Sequence, residues 1–279
     1  MFAFLSEILQ KNHIDCFAAL PLSACKVTKP YLLERAGITE GSALLLAVPY
    51  FTPACADPER NLSAYAVGRN YHAFFDALFE ELLPLLKARY PEHRFAAFAD
   101  HSPIAEIEAA ARAGLGVIGK NGLLLTERYS SYVFLGELVT DAPLPYTLVQ
   151  PRSCEDCGLC QSACPMSRIG TCLSALTQKK GELDGEEIAA LRRYGSCWGC
   201  DLCQEVCPHT LRALQSGTIY TPIPYFHENN IPKLTLDVLD AMEEDEFLQR
   251  AYSWRKRETI RRNLLLLQEK KDEKGGPHA

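Results

Sequence analysis

Nine of the chain's twelve cysteines lie between Cys154 and Cys207; Cys16, Cys25 and Cys55 are scattered before them and none follows. A disulfide framework is expected in a small secreted domain and is usually spread along most of it. Crowding into one segment of a 279-residue chain points to metal instead. The spacing is specific: Cys154-x2-Cys157-x2-Cys160-x3-Cys164-Pro165 is repeated as Cys197-x2-Cys200-x2-Cys203-x3-Cys207-Pro208. Each short loop sets three thiolates around three corners of an iron–sulfur cube, while the fourth, before proline, turns away to the other cluster. A structural zinc site needs only one set of four ligands and does not explain the repetition. No histidine occupies these positions, as soft sulfur ligation requires. The segment is expected to hold two [4Fe–4S] clusters. Cluster one draws on Cys154, Cys157, Cys160 and Cys207. Cluster two draws on Cys164, Cys200 and Cys203 plus either Cys197, which spacing favours, or Cys172.

Two such clusters imply one-electron transfers from an external donor to an acceptor held elsewhere in the chain. With 47% apolar and 23% charged residues there is ample material for a buried core. The balance of 29 basic against 35 acidic side chains, −6 overall, excludes a general coating for nucleic acid but not a local basic patch. No apolar run approaches the roughly 18 residues of a membrane span. The first residues lack the basic start and apolar stretch of an export signal, so a cytoplasmic location is expected.

The first 150 residues read as mixed α/β. Phe2 to Lys11 has helical spacing, and so does Tyr71 to Lys87, with Phe74, Phe75, Leu78, Phe79, Leu82 and Leu83 on one face and Pro84 as a possible kink. Ala43 to Tyr50, Phe95 to Ala99, Leu123 to Leu125 and Tyr132 to Leu138 are strand-like. Ser102-Pro103 has the form of an N-cap and first-turn proline for a helix closed by Gly114, with Asp100 just ahead of it. Gly114-Leu-Gly116-Val-Ile-Gly119 satisfies G-x-G-x-x-G, but a helix precedes it and three leucines follow. A turn allowing close backbone approach is expected there rather than a dinucleotide site. Asp141 to Pro145 marks a boundary, Tyr220 to Pro232 should be extended, Leu234 to Lys271 mostly helical, and Lys270 to Ala279 a frayed tail. Arg250, Arg255, Lys256, Arg257, Arg261 and Arg262 crowd around Tyr252 and Trp254, a pattern suited either to RNA or to a solvated helix face.

Several stretches in order resemble the epoxyqueuosine reductase family: Tyr65-Ala-Val-Gly-Arg-Asn-Tyr-His72, Ala99-Asp-His-Ser-Pro-Ile104, Gly114 to Asn121 and Ser131-Tyr-Val-Phe-Leu-Gly-Glu-Leu138. Both cysteine runs and Trp254 to Leu267 complete the match. The resemblance implies an α/β (α+β) cobalamin-binding domain similar to that of reductive dehalogenases over residues 1–145. It also implies a two-cluster ferredoxin-like domain over 146–215 and a C-terminal helical segment over 216–279. It implies reduction of epoxyqueuosine to queuosine in tRNA, with electrons passing through two [4Fe–4S] clusters to cobalamin. By the same resemblance the proton donor falls on Asp100, and Tyr71, His72, Lys120, Asn121, Ser131 and Tyr132 contact the corrin. Cys172-Leu-Ser-Ala-Leu-Thr177 matches the family's cluster-two segment and makes Cys172 the eighth ligand. Longer family members carry additional C-terminal helical repeats associated with tRNA contact, which here leaves Arg255, Arg257, Arg261 and Arg262 to carry it. A monomer served by an external low-potential donor is expected. The alternatives are a corrinoid reductase acting on a small molecule or another protein, and a ferredoxin-like electron carrier.

Overall fold

The computed structural model describes residues 1–166 and 171–274, with side chains described up to residue 268. In chain order its regular elements are α1 (Phe2–Lys11), β1 (Phe17–Pro21), α2 (Pro30–Ala36), β2 (Ser42–Pro49), α3 (Tyr71–Arg89), β3 (Phe95–Ala99), α4 (Glu106–Arg112), β4 (Val117–Ile118), β5 (Leu124–Leu125) and β6 (Val133–Thr140). There follow α5 (Leu159–Ala163), α6 (Leu173–Thr177), α7 (Gly185–Tyr194), α8 (Leu202–Glu205), α9 (Pro208–Ser216), α10 (Leu236–Ala241), α11 (Glu244–Leu248) and α12 (Lys256–Lys274). The tail expected to fray from Lys270 is helical as far as Lys274, and residues 275–279 lie outside the described residues.

Two compact units result, and both are discontinuous in sequence. The first comprises Met1–Tyr50, Tyr71–Cys157 and Pro208–Ile223; the second comprises Phe51–Asn70, Gly158–Cys207 and Pro224–Ala279. They do not follow the consecutive segments 1–145, 146–215 and 216–279. Residues 51–70 belong to the second unit, where Asn61 bonds Leu234 and Arg60 pairs with Asp201.

The first unit is built on a four-stranded sheet in the order β1-β2-β6-β3, antiparallel throughout, so the fold is α+β in detail. The run Ser42–Pro49 is buried at every position, as a central strand covered on both faces should be. On one face α3 buries Phe74, Phe75, Leu78, Phe79, Leu82 and Leu86, and continues through Pro84 to Arg89. Leu86 takes the position for which Leu83 was expected, because Leu83 is only half-buried. Gly136 of β6 leaves the space that the Phe75 ring fills. On the other face Ala109, Ala110, Ala111 and Ala113 pack with Leu20, Leu45 and Val139. These alanines let α4 lie close to the sheet.

The helix expected from Ser102 begins instead at Glu106. The Ser102 hydroxyl accepts from the Ile104 amide at 3.1 Å, and the Pro103 carbonyl accepts from the Thr28 and Lys29 amides. These bonds hold 102–105 as a turn. The glycine run lies at the β4–β5 hairpin, where a Cβ on Gly116 would collide with the Leu125 carbonyl oxygen. The close backbone approach is therefore made to the chain itself.

In the second unit Met166, Leu173, Leu176, Leu183 and Leu191 form a small core with Leu266 and Leu267 of α12. Asp184 caps α7 by accepting from the Glu187 amide while Glu187 accepts from that of Asp184, each at 2.9 Å. The buried Asn263 amide donates to the carbonyls of Thr177 (2.7 Å) and Cys197 (2.8 Å), joining α12 to both sides of the cysteine-rich segment. The stretch expected to be helical from Leu234 is broken into α10, α11 and α12.

The hairpin generates one test. Gly116→Ala should lower thermal stability by about 1–3 kcal/mol, because the colliding atom is backbone and cannot rotate away. A melting temperature equal to the parent's would show that the hairpin relaxes freely.

Candidate functional site

β3 ends at Ala99, and Asp100 follows with φ 63°, in the left-handed region that few non-glycine residues enter. Such backbone persists where its surroundings over-determine it. Here those surroundings are Tyr71 and His72, the first two residues of α3. The Tyr71 hydroxyl donates to Asp100 Oδ2, and His72 Nε2 lies 2.9 Å from the same oxygen. The Tyr71 ring is fixed in turn by stacking on Phe134 at 4.1 Å, and Phe134 stacks on Tyr50 at 4.2 Å. Partial burial pushes the Asp100 carboxyl up. The hydrogen bonds from His72 and Tyr71, with the charges of His72 and Lys29, outweigh it and hold the group below the usual carboxylate range. Asp100 is no helix cap, since α4 starts six residues later. Beside it, His101 is held by Tyr31 (2.8 Å) and Lys29 (3.4 Å).

The other expected cofactor contacts divide by exposure. Lys120 is exposed, with its ammonium 2.5 Å from Asp156 and its amide donating to Cys154 Sγ at 3.3 Å. Asn121 is occupied locally, its Oδ1 accepting from the Leu123 amide. Ser131 and Tyr132 are buried, so their side chains face the interior. The same unit contains an open cavity of about 890 Å³ whose lining includes Gly114–Val117, the basic residues Arg128, Arg152 and Arg212, and the acidic residues Asp15 and Glu127.

None of the nine cysteines of the 154–207 segment is in a disulfide. Among the described residues no three His, Cys, Asp or Glu side chains gather tightly enough for a single metal ion. A cubane differs, because each thiolate binds a separate iron and the sulfurs stand further apart. Burial first, then the charge of Asp201 and those of the neighbouring Cys172 and Cys203, push the Cys200 thiol up to about 12. Cys197 has a different setting. It is fully buried, donates to the Asn61 carbonyl at 3.1 Å, and burial pushes its thiol up, with no cysteine among the causes. Cys172, Cys200 and Cys203 are thus neighbouring soft sulfur donors of the chemistry a cubane requires, whereas Cys197 is packed in the core.

The arginines do not form a uniform patch. Arg257 donates to the carbonyls of Leu239 (2.6 Å), Met242 (2.5 Å) and Glu243 (3.2 Å), and Arg262 to those of Lys179 (2.7 Å) and Gly181. Arg250 is buried against the Asn229 carbonyl and Glu246. Arg261 is exposed and pairs with Asp240. Arg255 lies 3.8 Å over the ring of Trp254, which is 58% exposed.

One constellation was not expected. Glu137, in the middle of β6, is fully buried, and neither of its carboxyl oxygens has a hydrogen-bond partner. Burial first, then the negative charge of Glu106, pushes Glu137 up to about 9; burial likewise raises Glu106 to about 7. The available signal was a lone acid inside the apolar run Val133-Phe-Leu-Gly-Glu-Leu-Val139.

These features define an iron–sulfur oxidoreductase: residues 153–211 match the 4Fe-4S dicluster domain. Over 232 residues, 79% of this chain and 71% of the relative, it is 34% identical to the epoxyqueuosine reductase of Gloeobacter violaceus. It is 32% identical to that of Listeria monocytogenes over 72% of this chain and 54% of the relative. The chain belongs to the epoxyqueuosine reductase family. It shares the fold of the Streptococcus thermophilus enzyme (TM-score 0.74, 22% identity, 97% of this chain and 81% of the other). It also shares that of an epoxyqueuosine reductase solved with an epoxyqueuosine-modified tRNA stem loop (TM-score 0.76, 23% identity, 95% and 81%). No helix among the described residues is long and apolar enough to cross a membrane.

Two outcomes are expected. Arg257→Ala should destabilise by about 2–3 kcal/mol, the scale for losing charge-assisted bonds to carbonyls, while Arg261→Ala should stay within about 1 kcal/mol; equal melting temperatures would contradict this division. Glu137 titrates near 4.5 when unfolded and near 9 when folded, so the folded state holds the extra proton and stability falls as pH rises through that window. Glu137→Gln should flatten that decline in denaturant titrations at successive pH values; an unchanged slope would place the proton elsewhere.

Proposed function

We propose that this chain reduces epoxyqueuosine in tRNA to queuosine, in the cytoplasm and as a monomer fed by an external low-potential donor. The observation that carries the reading is the convergence of Tyr71 and His72 on Asp100, in a chain of this family. Removing an epoxide oxygen as water consumes two electrons and two protons. Cobalamin, when bound, supplies the reducing centre at the epoxide carbon, and the two clusters supply electrons one at a time.

The protein's own task is to bind, orient and protonate. Asp100 is the acid for the departing oxygen. Burial already opposes its ionisation, and a substrate that excludes water strengthens that opposition until the carboxyl holds a proton. Tyr71 and His72 aim the carboxyl and stabilise it once the proton has left. Lys120, Asn121, Ser131 and Tyr132 would hold the corrin, the last two through backbone, since their side chains are buried. Arg152, which lines the 890 Å³ cavity, offers a cation to the phosphate-bearing part of cobalamin, while Arg128 and Arg212 there are paired with Asp15 and Glu155. A reductive-dehalogenase-like role for residues 1–145 rests on the same features.

Cluster one uses Cys154, Cys157, Cys160 and Cys207; cluster two uses Cys164, Cys172, Cys200 and Cys203. The neighbourhood of Cys172, Cys200 and Cys203 supports the second set over one containing Cys197. For tRNA, Arg255 with exposed Trp254, and Arg261, offer cation and stacking surface. Arg257 and Arg262 instead brace that surface from behind by holding carbonyls. The structural neighbour bound to a modified stem loop favours this substrate over a small molecule.

Anaerobically reconstituted protein with cobalamin and a low-potential reductant should convert epoxyqueuosine-tRNA to queuosine-tRNA by nucleoside mass spectrometry. No conversion with both clusters intact would contradict the proposal. Asp100→Asn should leave cluster and corrin spectra unchanged and slow turnover roughly 100-fold or more; near-parental turnover would remove its acid role. Cys172→Ala should lose about half the iron and Cys197→Ala none, and the reverse would exchange the two ligands.

A further inference from the structure

Asp201 follows the cluster-two cysteine Cys200 directly, yet its side chain is 1% exposed. Four donors surround it: Arg60 Nη1 at 2.6 Å, the Ala64 amide at 2.6 Å, Gln204 Nε2 at 2.9 Å, and the Ser63 hydroxyl. Three of the four come from residues 60–64, more than 130 positions earlier in sequence. The Arg60 guanidinium is itself only 12% exposed; it also donates to the Leu62 carbonyl and to Glu205 at 2.5 Å. Gly199, at φ 73°, completes the fit, since a Cβ there would strike Ser63. A carboxylate so well supplied costs desolvation that apolar packing would avoid. Loop anchoring alone does not need a charge pair, because one neutral amide offers hydrogen bonds to the same segment.

We infer that Arg60 offsets the buried Asp201 carboxylate beside the cluster held by Cys164, Cys172, Cys200 and Cys203, so that neither charge alone biases the reduction potential of that cluster; both are positioning residues. This rests on the two-cluster reading given above. Each charge sits in a poorly solvated interior, where an uncompensated unit charge acts on a neighbouring redox centre far more strongly than at a surface. Together they nearly cancel. Removing one unbalances the other: without the Asp201 carboxylate, Arg60 keeps only the solvent-screened Glu205 as counter-ion and favours the reduced, more negative cluster, while loss of the guanidinium leaves the carboxylates of Asp201 and Glu205, which disfavour it. Lys120, whose amide bonds Cys154, is paired to Asp156 at the surface and offers no comparable buried charge.

The test uses the full chain with both clusters assembled, in Asp201→Asn, Arg60→Met and the double variant. Potentials are read by spectroelectrochemistry with electron paramagnetic resonance, and iron and melting temperature are measured alongside. One cluster should shift to a less negative potential in Asp201→Asn and to a more negative one in Arg60→Met. In the double variant it should return near the parental value, and the other cluster should move less in all three. Unmoved potentials, or shifts of one sign in both single variants, would overturn the inference. So would loss of half the iron in a single variant that the double variant does not restore, since that marks packing alone. A parent that assembles no second cluster would sink the two-cluster reading instead, which is a separate outcome.

Discussion

Thiolate-rich loops have little apolar surface with which to hold themselves, so their geometry depends on polar atoms delivered from elsewhere in the chain. The four donors on Asp201 and the paired carbonyl contacts of Asn263 fulfil that need in the second unit. Residues 51–70 belong to that unit despite lying between β2 and α3 in sequence. The α12 helix does the same from the other end. Cluster loops are thus positioned by the second unit's own tertiary structure as well as by their motif.

The first unit solves a different problem, holding a carboxylate at the end of a sheet. An antiparallel sheet with β6 between β2 and β3 brings Phe134 under Tyr71 and places Asp100 at the strand end. The left-handed backbone at Asp100 and the two donors from α3 fix one carboxylate oxygen. In the open arrangement hydrogen bonding wins over burial and the group is ionised. In the proposed reaction that balance tips when substrate displaces water, which would couple protonation to substrate enclosure in a single side chain.

Elements with strong periodicity were legible from residues alone: β2 from an uninterrupted apolar run, α3 from its phenylalanine and leucine face, and the ligand loops from cysteine spacing. Where reading failed, the cause was a long-range partner. Ser102-Pro103 looks like a helix start, but its groups are used by Ile104, Thr28 and Lys29, which delays α4 to Glu106. Arg257 and Arg262 have the composition of an RNA patch, yet backbone carbonyls from other elements claim them. Glu137 shows the opposite case, an acid whose strand reads correctly while its burial beside Glu106 depends on two elements meeting. Spacing alone favours Cys197 as a ligand, and its burial against the Asn61 carbonyl, a contact more than 130 positions away in sequence, supports the proposal of Cys172 in its place.

Joint quantitation of iron, acid-labile sulfide and cobalt on protein purified and loaded without oxygen tests the central claim most directly. The account predicts about eight irons, about eight sulfides and about one cobalt per chain. Iron near four per chain, or clusters at full occupancy with no cobalt retained, would contradict it.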